Sequence, residues 1–250
     1  MKTIVAAAAL LMFASLGLAQ SSRNLTPTQL EIEKQQQRLD SSDAEERRDA
    51  VMRLGVMHLP AASRAALRAL QDPSPSVRVA AAKSILYIGP EESAGALIPL
   101  LADKDEFVRR EAAYSLGLTS SRSATAPLTE RLLKDKEDGV RGAAAVALGQ
   151  IADEAAVVPL VEALKRDRNE FVLRAAATSL GQIGSRAGVP ALIATLTNEK
   201  LSSDVRREAA RSLGLIGDVS AEPALRAAST AADPYLAEAS FQALRKLKQK

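Results

Sequence analysis

The sequence offers few side chains of the types that catalyse reactions or bind metals. It contains one histidine, His58, and no cysteine. Zinc and iron sites need several His, Cys or carboxylate ligands close together, and a Ser-His-Asp or Cys-His system needs a histidine beside the nucleophile. His58, in the stretch GVMHLP, is therefore predicted to lie at a loop or helix end rather than in a metal site or a catalytic centre.

The many carboxylates have a structural explanation. Glu91, Glu92, Asp103 and Asp105 fall in predicted turns and first helical turns, where acidic side chains cap helices and interact favourably with the helix dipole. The glycines do not form the Gly-x4-Gly-Lys-Ser/Thr loop that holds phosphate groups. We predict no catalytic residues, no metal and no cofactor.

The overall charge argues against binding to nucleic acid. Thirty-three Lys and Arg residues face 30 Asp and Glu residues, which gives a net charge of +3, and tryptophan is absent. So small an excess provides no basic surface for DNA or for an anionic membrane.

The N-terminal stretch is typical of an export signal. Lys2 precedes an apolar run from Thr3 to Leu18, and small residues follow, with Ala19 before Gln20. We predict that residues 1–19 are a secretory signal peptide cleaved after Ala19, which makes the protein periplasmic or secreted with no stable membrane insertion after cleavage. The alternative is a retained anchor, although the run is shorter than the roughly 20 residues that span a bilayer.

One helical sequence recurs several times along the chain. DKDEFVRREAAYSLG at 103–117, DKEDGVRGAAAVALG at 135–149 and DRNEFVLRAAATSLG at 167–181 are near copies. A large apolar residue marks each copy every 31 to 33 residues, at Leu54, Ile85, Leu116, Leu148, Leu180, Leu213 and Leu244. Eight residues before each marker lie Glu46, Val77, Val108, Val140, Val172, Val205 and Leu236. The chain therefore consists of about seven repeats.

Each repeat is predicted to be an antiparallel pair of helices. Val108, Ala112 and Leu116 share one helical face, and Leu128 and Leu132 begin the same pattern in a further helix. Strand signals are absent. Glycines punctuate the repeats, four of them just after the marker (Gly117, Gly149, Gly181 and Gly214) and three where a helix ends (Gly89, Gly184 and Gly217). Because one pair cannot bury its own apolar face, the pairs must stack into an all-α solenoid.

The pattern VRxxAAxxLGxIG, preceded by Asp, resembles HEAT repeats of the short type named after phycocyanobilin lyase subunits. The resemblance covers residues 43–250 and implies a right-handed superhelix of about seven repeats. It also implies a ladder of hydrogen bonds between repeats, formed by an Asp and the Arg six residues later. The matching positions are Asp72 with Arg78, Asp103 with Arg109, and Asp135 with Arg141.

The ladder pattern fails in two repeats. Leu173 replaces the Arg that should follow Asp167, and Lys200 replaces the Asp that should precede Arg206. We therefore predict that the fifth and sixth repeats form the softest junction. The resemblance implies no reaction, because deoxyhypusine hydroxylases of similar fold bind iron through His-Glu pairs and His58 is followed by Leu59.

Residues 20–42 are predicted to form a polar linker and a capping helix. Thr26, Pro27 and Gln29 occupy the N-cap, N1 and N3 positions of a capping box.

In HEAT solenoids the second helix of each pair lines the concave face, and this places eleven side chains toward the groove. They are Arg48, Met52, Val79, Lys83, Arg110, Tyr114, Val146, Arg174, Thr178, Arg207 and Arg211. Val79, Tyr114, Gly142 and Val146 predict an apolar middle, and the last arginines predict a basic far end. Tyr and Arg often anchor protein interfaces. The sequence thus predicts an exported, monomeric, non-enzymatic scaffold that binds another protein or peptide. The alternatives are a lyase-like accessory factor or enzyme subunit, and a passive structural spacer.

Overall fold

A computed structural model describes residues 25–247, which fold into fourteen α-helices with no β-strand in that range. The predicted signal peptide lies outside these residues. The helices follow one another as seven antiparallel pairs, which confirms the all-α solenoid. The first helices of the pairs form an outer layer: α1 (Pro27–Arg38), α3 (Pro60–Ala66), α5 (Pro90–Leu97), α7 (Thr125–Lys134), α9 (Val157–Arg166), α11 (Val189–Thr197) and α13 (Glu222–Ala228). The second helices form an inner layer: α2 (Ala44–Gly55), α4 (Pro75–Ser84), α6 (Glu106–Thr119), α8 (Asp138–Ile151), α10 (Glu170–Ile183), α12 (Ser203–Ile216) and α14 (Pro234–Leu247).

Side chains at the starts of helices satisfy backbone N–H groups that have no partner within the helix. The Asp105 carboxylate accepts hydrogen bonds from the backbone N–H groups of Phe107 and Val108, at 2.9 and 3.2 Å. Before α1, the Thr26 hydroxyl accepts from Gln29 and the Gln29 side chain accepts from Thr26, which confirms the predicted capping box.

The predicted helix-ending glycines divide into two kinds. Gly184 and Gly217 follow α10 and α12 in the left-handed conformation, with φ of 76° and 77°, as expected for glycine after a helix. Gly89 also follows a helix, the short 3-10 helix Leu86–Ile88, but it adopts φ 103° and ψ 152° and leads directly into α5. Ser120 and Ala152 take the left-handed position after α6 and α8.

The core runs without interruption along the stack. Val108, Ala112 and Leu116 on α6 are completely buried, and so are Leu97 on α5 and Leu128 on α7. Each inner-layer helix thus buries its apolar face against helices of its own and neighbouring pairs. The marker Leu244 is only partly buried, because α14 is the last described helix and nothing described packs beyond it.

Small residues let consecutive inner-layer helices approach closely. A methyl group placed on Gly181 would lie 2.6 Å from the Ser212 hydroxyl oxygen and 2.9 Å from the Ser212 Cα atom. Gly149 faces Ser179 in the same way. The outer-layer helices contact one another less extensively, so the stack curves with its inner layer on the concave side. These glycines are therefore packing contacts within helices, a role that the sequence prediction of repeat punctuation did not include.

No helix in residues 25–247 combines the length and apolar character needed to cross a membrane.

Candidate functional site

A buried ladder of arginines and aspartates joins the repeats where each outer-layer helix leads into the inner-layer helix of its pair. Arg109 donates two hydrogen bonds to the Asp135 carboxylate of the next repeat, from Nε at 2.8 Å and from Nη2 at 2.9 Å. Its Nη1 atom donates to the backbone carbonyl of Asp103 in its own repeat at 3.0 Å. Only 7% of the Arg109 side chain and 2% of the Asp135 side chain are exposed. One guanidinium therefore fastens two consecutive repeats together.

The same arrangement recurs at three other junctions, formed by Arg47 with Asp72, Arg78 with Asp103, and Arg141 with Asp167. The residues that the resemblance paired within one repeat do touch, but through a backbone carbonyl: Arg78 donates to the carbonyl of Asp72. The bidentate partner of each aspartate is the arginine of the preceding repeat.

The contacts within the ladder change the pKa values of several of its aspartates and arginines. Burial alone would raise the pKa of Asp135, but hydrogen bonds from Arg109 and from the Glu137 backbone N–H lower that pKa below its ordinary value. The hydrogen bond to Asp135 in turn raises the pKa of Arg109. The pKa values of Asp72, Asp103 and Asp167 are lowered by the corresponding contacts in spite of burial. The pairs are therefore charged at neutral pH.

The interruption of the ladder lies between the fifth and sixth repeats. Asp167 keeps its bond to Arg141, and the missing bond is the next one, where buried Leu173 replaces arginine. Arg206 turns instead to the carbonyl of Leu196, at 2.9 Å. The outer-layer helices α9 and α11, which flank this junction, contact each other less than α7 and α9 do.

Four rows of side chains cross the inner layer on its concave side, each row taking one residue from each inner helix. The predicted surface residues occupy the second and third rows. The first row is Glu45, Ser76, Phe107, Gly139, Phe171, Asp204 and Tyr235; the second is Arg48, Val79, Arg110, Gly142, Arg174, Arg207 and Glu238. The third is Met52, Lys83, Tyr114, Val146, Thr178, Arg211 and Gln242; the fourth, at its helix ends, is Val56, Tyr87, Leu118, Gln150, Gln182, Leu215 and Lys246.

A large opening on this surface lies in the first three repeats. We call it the N-terminal groove; its volume is about 700 Å³, and its walls include Arg48, Met52, Val56, His58, Val79, Lys83, Leu86, Tyr87 and Phe107. Several large apolar side chains are open to water there: Met52 is 53% exposed, Val56 72% and Phe107 51%. Apolar groups that stay in water in one cluster are typical of a binding surface.

Several residues of the groove were missed by the sequence prediction. Val56 and Tyr87 lie one helical turn after Met52 and Lys83, and Phe107 lies one turn before Arg110. The helical spacing of three or four residues, extended by one turn in each direction, would have found them. His58 adopts φ 53° just after α2 and stacks on Tyr87 with ring centroids 4.7 Å apart.

The predicted apolar middle is more closed than expected. Tyr114 and Val146 are half-buried against the core. The Phe171 ring covers Gly142, since a methyl group there would lie 2.1 Å from the ring. The apolar region therefore lies nearer the N-terminus than the sequence indicated.

At the far end, carboxylates of the same helix offset the predicted positive charge. Arg207 lies 2.8 Å from Asp204, and Arg211 lies 2.8 Å from Glu208. A smaller opening of about 430 Å³ lies beside them, and Leu215 and Tyr235 contribute to its walls. Arg174 is exposed on α10, with Thr178 one turn further along.

Across residues 25–247, no group of three or more His, Cys, Asp or Glu side chains is arranged to hold a metal ion.

A family model of HEAT repeats matches five overlapping stretches of the chain, residues 32–117, 63–149, 96–180, 125–204 and 157–245. The chain therefore belongs to the HEAT-repeat family, as its repeat pattern predicted. No curated protein matches the chain in sequence.

Several solved structures are similar to this chain, and the two with TM-scores above 0.5 share its fold. The complex of CpcE and CpcF of phycocyanin lyase from Nostoc is 26% identical, with a TM-score of 0.53 over 90% of this chain and 88% of that one. The YibA protein of Escherichia coli is 22% identical, with a TM-score of 0.64 over 89% and 82% of the two chains. Human deoxyhypusine hydroxylase, in complex with glycerol, is 23% identical, with a TM-score of 0.47 over 88% and 85%.

Proposed function

We propose that the protein is an exported, monomeric, non-enzymatic scaffold that binds a segment of another protein on its concave face. The observation that carries this proposal is the N-terminal groove, where Met52, Val56, Tyr87 and Phe107 hold a cluster of large apolar side chains in water. A repeat protein that needed only to span a distance would gain nothing from such a cluster, because exposed apolar area lowers solubility.

Stacked HEAT repeats suit this role because their surface is long and continuous. The buried Arg–Asp ladder holds neighbouring repeats in fixed register, so the groove keeps its shape before a partner arrives. A preformed surface saves the entropy of ordering on binding.

Photo-crosslinking tests this function. A benzoylphenylalanine residue placed at Tyr114 or Thr178 on the concave face should crosslink a protein from a periplasmic extract. The same probe at Val158, an exposed position on outer-layer helix α9, is the matched control. Further probes are placed at positions of the N-terminal groove. The proposal would be refuted if only the Val158 probe formed crosslinks, or if no probe on the inner layer or in the groove formed any.

Export is a separate part of the proposal and rests on the N-terminal sequence. Expression of the full chain in a bacterium should yield a periplasmic protein whose N-terminal residue is Gln20, as read by mass spectrometry. An intact N-terminus on a protein retained in the cytoplasm would contradict it.

A second candidate function is that of a lyase-like accessory subunit, which the structural likeness to the CpcE and CpcF complex favours. In that case a coloured or otherwise light-absorbing cofactor should co-purify with the chain. An absorption spectrum showing only protein bands, from protein isolated from its native source, would favour the scaffold.

A further inference from the structure

We propose that the N-terminal groove takes a particular kind of protein segment, one in which large apolar side chains alternate with carboxylates. This inference rests on the proposed function and specifies its ligand.

The floor of the groove sets the apolar half of the ligand. Met52, Val79 and Leu86 supply aliphatic surface, and Tyr87 and Phe107 supply aromatic faces. Each large apolar side chain of a ligand that enters this space removes apolar area from water on both partners, which is the main source of affinity in such contacts.

Cations beside the floor set the acidic half. Arg48 and Lys83 are exposed in the walls of the groove, each paired with one carboxylate, Glu45 at 2.6 Å and Glu111 at 3.3 Å. The carboxylate of Asp105, which also lines the groove, accepts hydrogen bonds from the backbone at the start of α6. Arg110 places its guanidinium carbon 5.0 Å from the centre of the Phe107 ring, and it forms no ion pair within the described residues. A carboxylate of the ligand would reach Arg110 just where an apolar neighbour meets Phe107.

The charge of the whole concave face favours an acidic partner over a second copy of this chain. The four rows carry seven cationic residues (Arg48, Lys83, Arg110, Arg174, Arg207, Arg211 and Lys246) and three acidic ones (Glu45, Asp204 and Glu238). Glu111 and Glu208, which pair with Lys83 and Arg211, raise the acidic total to five and leave an excess of two positive charges. Two such faces meeting in a symmetric dimer would place like charges together, which disfavours association.

The openness of the groove favours a polypeptide over a small molecule. Sites for small molecules usually enclose most of the ligand surface. Here Val56 and Met52 are more than half exposed, so a small ligand would keep much of its surface in water. A polypeptide segment continues past the groove and can contact the neighbouring repeats.

Fluorescence anisotropy with three labelled peptides tests the proposal on the full chain. The first peptide alternates Leu or Phe with Asp or Glu, the second replaces every acid with Lys, and the third replaces every apolar residue with Ser. Only the first should bind, and added salt should weaken it because the acidic contacts are partly exposed. Equal binding of the second or third peptide, or of a labelled oligothymidylate, would overturn the proposal.

The repeats supply matched controls for the site itself. Phe107→Ser and Arg110→Glu should each weaken binding of the first peptide by about tenfold or more. Phe171→Ser and Arg174→Glu change the equivalent residues two repeats later and should leave binding unchanged. All four residues are exposed, and circular dichroism verifies that each variant folds. Equal losses in the two sets would overturn the proposal.

The two proposals can fail separately. If the first peptide does not bind but probes at Tyr114 or Thr178 still crosslink a protein, the groove assignment is wrong and the scaffold function stands. If no inner-layer position crosslinks a protein although the peptide binds, the scaffold function is wrong.

Discussion

Removing one arginine of the ladder tests how strongly the repeats depend on it. Arg109→Ala deletes the 2.8 and 2.9 Å hydrogen bonds to Asp135 and the 3.0 Å bond to the Asp103 carbonyl. The Asp135 carboxylate would remain buried, with the Glu137 backbone N–H at 3.1 Å and the Arg131 guanidinium at 3.6 Å as its remaining partners. An unpaired buried charge typically costs about 3–5 kcal/mol. Because Arg131 compensates in part, we expect a loss of about 3 kcal/mol.

Two comparison variants isolate the cause of that loss. Arg226→Ala removes an exposed ion pair with Glu222 on the outer layer and should change the free energy of unfolding by less than about 0.5 kcal/mol. The double variant Arg109→Leu, Asp135→Leu removes both charges and imitates the natural Leu173. It should recover most of the stability, since an apolar pair of similar volume often replaces a buried ion pair at little cost.

The assay combines urea unfolding, followed by circular dichroism, with hydrogen exchange. Repeat proteins do not always unfold in one step, so amide exchange resolved by segment shows where the stack opens. Faster exchange should begin in α6 and α8, on either side of the missing contact. If Arg109→Ala shifts the urea midpoint no more than Arg226→Ala, the ladder does not stabilise the stack.

Three further predictions concern pH, the interrupted junction and the packing glycines. The folded-state pKa values of the ladder aspartates are lowered, so the unfolded chain binds more protons as pH falls through about 4. The free energy of unfolding should therefore fall between about pH 5 and pH 3, and less steeply in Asp135→Asn; urea titrations at each pH would show whether it does. Hydrogen exchange should be faster in α10 and α12 than in α6 and α8, and uniform protection across residues 167–215 would contradict the soft junction. Gly181→Ala should lower the thermal midpoint because its methyl group meets the Ser212 backbone. Gly95→Ala, in open space on α5, should instead raise the free energy of unfolding by about 0.5–1 kcal/mol and so raise the thermal midpoint. A Gly181→Ala variant with a higher thermal midpoint would show that Gly181 is not needed for close helix packing.

The period of the sequence was sufficient to predict the fold. Markers such as Leu116 and Leu148 recur every 31 to 33 residues, and the helical periodicity without strand signals inside each copy predicts a pair of helices, which cannot bury its own apolar face. Both markers are completely buried in the structure. The capping box at Thr26 was also predictable, because its contacts lie within four consecutive residues.

Contacts between repeats were harder to predict from the sequence. The six-residue spacing of Asp103 and Arg109 suggests a contact inside one repeat. The Asp103 carboxylate binds Arg78 of the preceding repeat instead, and this contact depends on how closely the two repeats stack. Gly181 follows a marker leucine, as a helix-ending glycine would, yet it lies inside α10 and faces the next helix. In both cases the deciding partner is about 25 to 31 residues away in sequence.

The position of the candidate site depended on side-chain packing that sequence spacing does not describe. Gly142 predicted a bare groove in the middle of the chain, but the Phe171 ring from the next repeat fills that space. Arg207 and Arg211 predicted a basic end, but Asp204 and Glu208 lie beside them on the same helix. The two ion pairs of Arg207 and Arg211 could have been found from the sequence by checking neighbours three and four residues away.

Methionine methyl NMR tests the central claim most directly, because only two of the four methionines lie beyond the predicted signal peptide. Met52 lines the N-terminal groove, whereas Met57 packs against the core. Titration of the labelled protein with the peptide that alternates apolar and acidic residues should shift the Met52 methyl signal in a saturable way, and should move the Met57 signal much less. An unchanged Met52 signal at a peptide concentration that saturates the anisotropy would show that the segment binds elsewhere.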